Sequence, residues 1–333
     1  MVRKAFLCLL IALVAASVVS ATGQKEPTQK IVIKFATVAA PQGLQNDGYL
    51  YYESRIEELT KGRVDFQIFP SGQLGEKIPA MEACRAGTIE MVDCAATDLS
   101  TFNKRWQVFS LPYMFMSGDH LVRVVSDPKV KSILERDLEA VGFKLVALAY
   151  IGSRSVVNAK KVVQTPSDLS GLKIRVMQDK VLADSVKLMG ANAVPFNWTE
   201  VYAGIQQHTL DGLEHSPFAI VDGKFYEVAK YMSLTEHFMI PSMMMMSKKV
   251  FDGYPKDIQN AILAAGKDYT VKLGSMVDAA NTKAIDALKS FGVTVTTVDK
   301  KPFAEAVKPI YEEYLATAPA DARELFDAIK SVK

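Results

Sequence analysis

Residues that carry enzyme chemistry are scarce in this chain. The 333 residues include only three cysteines and four histidines, and the histidines follow no metal-ligand spacing. No nucleophile elbow, phosphate-binding loop, dinucleotide fingerprint or zinc-protease motif occurs. These absences favour a protein that binds without chemistry, and neither a cofactor nor a metal is expected. The histidines are His120, His208, His215 and His237.

Long apolar runs are also missing, apart from one near the N-terminus. The chain starts with the basic pair Arg3-Lys4, continues with an apolar run over 5–16, and reaches the sequence Val19-Ser20-Ala21. This order predicts a signal peptide over 1–21, and hence a periplasmic or secreted protein. A membrane anchor at the N-terminus is the alternative, although the run is short for a bilayer span.

The chain has no excess of charge of one sign. It contains 39 basic and 37 acidic residues, and removal of residues 1–21 takes away two basic residues and no acid. The balanced charge and the absence of a basic tract argue against nucleic-acid binding. The remaining chain, about 310 residues, is long enough for two domains.

Two cysteines remain after the predicted cleavage, Cys84 and Cys94. In an oxidising compartment they could pair, because ten residues can bring the end of a helix back beside a following strand. The alternative is that both are small, buried apolar side chains. The sequence leaves both interpretations open.

Predicted strands alternate with predicted helices along the chain. This alternation indicates an α/β fold built on doubly wound sheets. The predicted strands are 30–37, 64–69, 89–95, 141–151, 172–176 and 193–195, and the predicted helices include 43–60, 78–86 and 180–189.

The strand over 172–176 alternates apolar and basic residues. Its apolar residues are expected to face the core, so that Lys173 and Arg175 point to the other side. A guanidinium on such a strand is suited to a carboxylate, because it offers a planar fork of donors and keeps its charge. The alternatives are an ordinary surface arginine or an ion pair within the domain.

Two further segments carry local signals. Asn197 and Glu200 predict a capping box that opens a helix over 199–207, with Trp198 either stapling the helix or forming the wall of a pocket. The segment 255–290 predicts one helix of roughly 50 Å, which is long enough to brace two domains. Its apolar residues are Ile258, Ile262, Tyr269, Leu273, Val277, Ala280, Ala284 and Leu288.

Eight motifs follow one another in the mature sequence. They are FPSGQLGE (69–76), EACRAGTIEM (82–91), FSLPYMF (109–115), GSRSV (152–156), TPSDLSGLKIRV (165–176), MGANAVPFNWTEVYAGIQQ (189–207), DGLEHSP (211–217) and KFYEVAKYMSLTEH (224–237). In this order the series resembles the substrate-binding proteins of the tripartite ATP-independent periplasmic (TRAP) transporters, over essentially the whole mature chain. Each motif alone is weak, but the ordered series is specific.

The resemblance implies a two-domain periplasmic binding protein clamshell, type II-like, with a long bracing helix. Domain I is expected over 29–151 plus 241–275, and domain II over 152–240 plus 281–333. The expected ligand is a small organic acid: a sugar acid, a C4-dicarboxylate, or a hydroxy or keto acid. The expected partners are the small and large membrane permease subunits, and the protein is expected to be a monomer.

The resemblance also implies the ligand-binding residues. Arg175 would bind the ligand carboxylate in a bidentate pair, and Arg154 would supply a second guanidinium. In the empty cleft two such charges would repel each other, and a carboxylate would relieve that repulsion. The other expected ligand-binding residues are Trp198, Gln178, Thr97, Asp98 and His215.

His215 is a departure from the family pattern, since many members have asparagine at this place in the motif. A histidine can still donate a hydrogen bond to a carboxylate or hydroxyl, but unlike asparagine it can change its charge with pH. The alternative is a residue behind the ligand that is hydrogen-bonded to the backbone.

Two other functions compete with a transport component. One is a sensing module for a membrane receptor, which would bind the same ligands but would have no permease partners. The other is a periplasmic enzyme that acts on a sugar acid, which turnover of the bound compound would reveal.

Overall fold

The computed structural model describes residues 30–333, which form two β-sheets with helices packed around them. The predicted signal peptide over 1–21 lies outside the described residues. The strands are β1 (Ile31–Ala36), β2 (Val64–Phe69), β3 (Met91–Ala95), β4 (Phe143–Ala149), β5 (Arg154–Asn158), β6 (Lys173–Val176), β7 (Asn192–Pro195), β8 (Gly212–His215), β9 (Tyr231–Phe238), β10 (Ser242–Ser247) and β11 (Thr294–Thr297).

Twelve α-helices lie within residues 30–333. They are α1 (Leu44–Thr60), α2 (Lys77–Ala86), α3 (Gly118–Ser126), α4 (Pro128–Ala140), α5 (Lys180–Leu188), α6 (Val201–Gln206), α7 (Pro217–Asp222), α8 (Lys248–Gly253), α9 (Lys256–Ser290), α10 (Lys301–Ala306), α11 (Pro309–Thr317) and α12 (Ala320–Ser331). Short 3-10 turns cover Ala96–Thr101, Lys104–Ser110, Pro166–Leu169, Trp198–Glu200 and Phe225–Glu227.

The first sheet has the strand order β2-β1-β3-β10-β4. Strand β1 is parallel to β2 and β3, whereas β10 is antiparallel to β3 and β4. Met243 and Met245 of β10 belong to the core on one face, and Met244 and Met246 to the core on the other. All six residues of β10 are buried, because helices cover both faces of this sheet.

The second sheet has the order β11-β9-β5-β8-β6-β7, so that β8 lies between β5 and β6. The predicted alternation on β6 is confirmed: Ile174 and Val176 are fully buried in the core of this sheet, and Leu172 joins them. Arg175 points the opposite way and lines a cleft. The chain passes between the sheets at 150–153 and again at 239–241, which gives the predicted two-domain α/β architecture.

The predicted long helix is confirmed as α9, which has 35 residues. Ile262 and Leu273 pack into the core between α9, α1 and the first sheet. Leu288, near the other end of α9, packs into a core of the second sheet. The helix therefore contributes apolar side chains to both domains. None of the helices within residues 30–333 is long and apolar enough to cross a membrane.

The C-terminal helix differs from the expected domain division, which placed 281–333 in domain II. Helix α12 instead packs against α4 and the turn over 104–110 of the first domain, and its residues Leu325 and Ile329 join that core. The buried Arg105 holds it there by donating to the carbonyl of Asp321, at 2.7 Å. The other proposed domain boundaries stay a prediction.

Cys84 and Cys94 are both buried and unpaired in the described chain, so the interpretation as small core side chains is confirmed. The Sγ atom of Cys84 lies 3.7 Å from the carbonyl oxygen of Glu90. The Sγ atom of Cys94 lies 3.9 Å from Sδ of Met245. Burial raises the pKa of the Cys84 thiol to about 12, which leaves it protonated and unreactive at neutral pH.

The predicted capping box at Asn197 is wrong. Asn197 makes no side-chain capping bond, and the segment starts with a 3-10 turn before α6 begins at Val201. Its Oδ1 accepts instead from Nε2 of Gln178, at 2.9 Å. The backbone amide of Thr199 donates to the carboxylate of Glu76, at 3.3 Å. A carboxylate from the first domain therefore takes the place of the predicted Asn197 cap.

Candidate ligand-binding cleft

A cleft of about 560 Å³ lies between the two domains. The second domain contributes residues from β5, β6, β8 and the segment after β7, and the first domain contributes residues from α2 and from the end of β3. Of the predicted ligand-binding residues, the cleft brings together Arg154, Arg175, Gln178, Trp198, His215 and Asp98. Among these predicted residues, the two most distant in the sequence, Asp98 and His215, are 117 positions apart.

Arg175 is the cation in this cleft that has no acidic partner. Its Nε donates to the carbonyl oxygen of Phe196 at 2.9 Å, and no carboxylate of residues 30–333 lies within ion-pair distance. The side chain is 5% exposed and stands over the ring of Trp198, with 5.5 Å from Cζ to the ring centroid. Burial, and then the charge of Arg154, lower the pKa of Arg175 to about 10. The cleft therefore holds a buried guanidinium with which no carboxylate of residues 30–333 forms an ion pair.

Arg154, at the start of β5, is compensated. Its Nη2 donates to Oε1 of Glu214 at 2.8 Å and to the backbone carbonyl of the same residue at 2.7 Å, and its Nε donates to Oε2. Glu214 is fully buried on β8. The expected repulsion between the two guanidinium groups is therefore reduced, because β8 places the carboxylate of Glu214 beside Arg154. Only Nη1 of Arg154 remains without a bond in the described chain.

His215 lines the cleft as a neutral ring. Its Nδ1 accepts from the backbone amide of Ser216 at 2.8 Å, which places the ring proton on Nε2. Burial, and then the charges of Arg154 and Arg175, hold the pKa of His215 well below its ordinary value. A change in the charge of this ring near neutral pH is therefore not expected. The ring centroid lies 5.0 Å from that of Trp198, so the two rings form one aromatic wall.

The remaining predicted residues divide into two groups. Gln178 and Asp98 line the cleft, and Asp98 accepts from the amide of Ala95 at 2.8 Å. Thr97 is fully buried behind the cleft wall, with Oγ1 3.8 Å from Sδ of Met177. The geometry therefore favours Asp98 over Thr97 as a group that faces a ligand.

Sequence reasoning missed five charged residues at this site, among them Asp222, which lines the cleft from α7. Lys77 lines the cleft, with Nζ 3.7 Å from Oδ2 of Asp93 and 3.6 Å from Oδ2 of Asp98. Glu76 bonds the side chain and the amide of Thr199 across the mouth of the cleft. Glu214 neutralises Arg154. The sequence signal that could have found one of them is an acidic residue inside an otherwise apolar strand, as at Asp93 in the sequence Met-Val-Asp-Cys-Ala.

Two dipeptides, Glu214-His215 and Glu236-His237, combine residue types that can bind a metal. Within residues 30–333, no three side chains of histidine, cysteine, aspartate or glutamate converge as metal ligands would. Both carboxylate oxygens of Glu214 already accept hydrogen bonds from Arg154, and Glu236 pairs with Lys300. Both dipeptides are thus engaged in ion pairs of the protein itself.

Comparison with known proteins identifies the family. The family model for bacterial extracellular solute-binding proteins, family 7, matches residues 35–317. The 2,3-diketo-L-gulonate-binding periplasmic protein of Escherichia coli K12 is 30% identical over 284 residues, which are 85% of this chain and 86% of that protein.

Solved structures agree with this match. A TRAP periplasmic solute-binding protein from Sulfitobacter sp. NAS-14.1 with bound β-D-galacturonate superposes with a TM-score of 0.86 at 29% identity, over 90% of this chain and 99% of that one. The sugar-acid-binding protein of Advenella mimigardefordensis in complex with galactonate gives 0.87 at 26% identity, over 92% and 99%. The chain therefore belongs to family 7 of the bacterial extracellular solute-binding proteins and is a TRAP-type solute-binding protein.

Proposed function

We propose that this protein captures a small organic acid in the periplasm and delivers it to the membrane subunits of a TRAP transporter. The observation that carries the proposal is Arg175, a buried guanidinium in the interdomain cleft that no carboxylate of the described chain pairs with. A ligand carboxylate supplies the missing charge through two parallel charge-assisted hydrogen bonds. Arg154 contributes its unbonded Nη1, and His215 donates from Nε2.

Sugar acids are the best-supported ligands. Relatives and structural neighbours of this chain are named for diketogulonate, galacturonate and galactonate, all of which combine a carboxylate with hydroxyl or keto groups. The cleft offers an aromatic wall of Trp198 and His215, which suits the apolar face of a sugar. Binding rather than turnover is expected, since the protein's relatives are solute-binding proteins.

The proposal is tested first by a thermal-shift screen of the protein purified from the periplasmic fraction. The screen includes uronates, aldonates, C4-dicarboxylates, keto acids and the matching neutral sugars. A ligand at about a hundredfold its Kd should add about 2.7 kcal/mol to the free energy of unfolding. A response to acids and none to neutral sugars supports the proposal, whereas a response to neutral sugars alone contradicts it.

Arg175 variants test the anchor itself by calorimetry. Arg175→Ala should weaken binding of the identified acid by about 100-fold or more, because two charge-assisted bonds are lost. Arg175→Lys keeps the charge but loses the planar fork, so its loss should be intermediate. Arg323→Ala, at an exposed position of α12, is the control and should bind like the original protein. Unchanged affinity in Arg175→Ala would remove this residue from the site.

A further inference from the structure

We propose that Asp222 takes up a proton when the two domains close over a ligand, so that the cleft holds a sugar acid more tightly in mild acid than at neutral pH. This inference rests on the proposed function and adds a regulation to the same site. The device consists of one carboxyl group of the second domain and the start of helix α1 in the first domain, which are in contact beside the cleft.

Asp222 joins the two domains. Helix α7, which ends at this residue, connects β8 to β9 of the second sheet, whereas α1 follows β1 of the first sheet. Oδ2 of Asp222 accepts from the backbone amide of Leu44 at 3.2 Å. The contact is also tight at Gly43, where an added Cβ atom would overlap the carboxyl group of Asp222. Separation of the domains would therefore expose this carboxyl group to water.

The carboxyl group of Asp222 lacks a basic partner in the part of the chain that the structure describes. Besides the ligand cleft it lines a second cavity, of about 420 Å³, to which α1 contributes Asp47 and α9 contributes Lys283. Lys283 forms no ion pair with it, and Asp47 has a charge of the same sign. The other charged or titratable groups around it are Lys224 and Glu227 of the turn after α7 and, in the ligand cleft, Glu76, Lys77, Asp93, Asp98, Arg154, Arg175 and His215.

A buried carboxyl group in this position favours its protonated form. Transfer of a carboxylate out of water costs free energy, and a like charge nearby adds to this cost, whereas a bond from an amide favours the charged form. Burial is the largest of these effects and raises the pKa of Asp222 to about 6, while the Leu44 amide opposes the rise and the charge of Asp47 adds to it. The protonated group keeps an oxygen that can accept from the Leu44 amide. Protonation therefore removes the buried charge without breaking the contact between the domains.

Proton binding and closure should therefore favour each other. In the open protein the exposed carboxyl group should titrate at about 3.9, as an ordinary aspartate does. Because the closed protein holds the proton more tightly, the contribution to closure is full below about pH 4 and is lost as the pH rises through about 6. With these two values, the Kd for a ligand should rise about tenfold between about pH 5 and about pH 7.5.

Isothermal titration of the protein from the periplasmic fraction at these two pH values tests the coupling. The probes are D-galacturonate, D-glucuronate and D-galactonate, whose carboxyl groups are ionised throughout this range. The probe that binds most tightly should bind about tenfold more weakly at the higher pH. Titrations at about pH 5.5 in two buffers of different ionisation enthalpy should show uptake of about 0.7 proton per bound ligand. An equal Kd at both pH values, or binding without proton uptake, would overturn the inference.

The variant Asp222→Asn assigns the effect to this carboxyl group, because asparagine keeps the shape and an acceptor oxygen but does not ionise. At about pH 7.5 the variant should bind the same probe about tenfold more tightly than the original protein does. Asp327→Asn, at an exposed position of α12, is the matched control and should keep the original pH dependence. A pH dependence that is unchanged in Asp222→Asn would overturn the role of Asp222. Should circular dichroism show that this variant misfolds, the proton uptake of the original protein decides.

The outcomes also separate this inference from the proposed function. If a sugar acid binds with the same Kd at both pH values, the carboxylate anchor at Arg175 stands and only the coupling to a proton fails. If none of the three acids binds at either pH, the sugar-acid assignment fails and the inference fails with it.

Discussion

Strands β5 and β6 flank the same neighbour, β8, and each carries an arginine that is 5% exposed, yet the two arginines have opposite environments. Arg154 is held by Glu214 through both carboxylate oxygens. Arg175 lies opposite Leu213 in the register of β6 and β8, and no carboxylate among residues 30–333 pairs with it. Strand β8 thus places Glu214 beside Arg154 and the apolar Leu213 beside Arg175. A buried charge with a partner serves the fold, whereas a buried charge without one can serve a ligand.

Removal of the paired arginine should have the largest effect on stability. Arg154→Met leaves Glu214 buried without its partner and should lower the free energy of unfolding by about 3–5 kcal/mol. Urea unfolding followed by circular dichroism measures this. The double variant Arg154→Met with Glu214→Leu removes both charges and should recover most of the loss. If Arg154→Met alone were as stable as the original protein, the Arg154–Glu214 pair would not contribute this stability.

Removal of the unpaired arginine should act in the opposite direction. Without ligand, Arg175→Met should raise the free energy of unfolding by about 1 kcal/mol, because it removes a buried charge that the fold does not compensate. The same unfolding measurement, made at pH 7 on ligand-free protein, checks the sign. A loss as large as that in Arg154→Met would show that Arg175 has a structural partner and would end the contrast between the two residues.

Asp222 extends the comparison to a carboxylate. It lines the cleft from α7, and its Oδ2 accepts from the amide of Leu44 at the start of α1, at 3.2 Å. Burial raises its pKa to about 6, and the charge of Asp47 adds to this, whereas the Leu44 bond opposes it. An unfolded aspartate titrates at about 3.9, so the folded state holds the proton more tightly. The stabilising contribution is full below about pH 4 and is lost as the pH rises through about 6.

Asp222→Asn should therefore match the original protein at about pH 4 and exceed it in melting temperature at about pH 7. The quantity to compare is the difference in melting temperature between the two proteins, because another group also titrates in this range. Burial lowers the pKa of His237 to about 3, so that this histidine destabilises the folded state as the pH falls. A gap that is the same at both pH values would contradict the assignment to Asp222.

The smallest effect is expected at the mouth of the cleft. Thr199→Val removes the hydroxyl that bonds Glu76 from the other domain. Because Thr199 is exposed and Glu76 is only half-buried, ligand affinity should fall by about threefold or less, within the range of exposed polar pairs. Calorimetry with the identified acid measures it, and Thr317→Val on α11 is the control. A loss of affinity beyond tenfold would show that the Thr199–Glu76 contact belongs to the ligand-binding site.

Much of the secondary structure was predictable because its signals are local. Val64–Phe69 forms the predicted strand to the residue, and α1 and α9 begin and end within one residue of the predicted bounds. The alternation around Arg175 correctly gave the face to which its side chain points. The prediction of a capping box was wrong because the competing contact is not local. The side chain of Asn197 bonds that of Gln178, which is 19 residues away in the sequence.

The sequence by itself determined the strands and helices, the long helix α9 and the direction of Arg175, since these follow from periodicity over a few residues. Only the tertiary structure decided that Glu214 compensates Arg154, that His215 is neutral, and that Asp93 and Lys77 face the ligand cleft. It also decided that α12 belongs with the first domain. These facts depend on strand order and on contacts between distant segments, and charge states follow from burial, which no local pattern encodes.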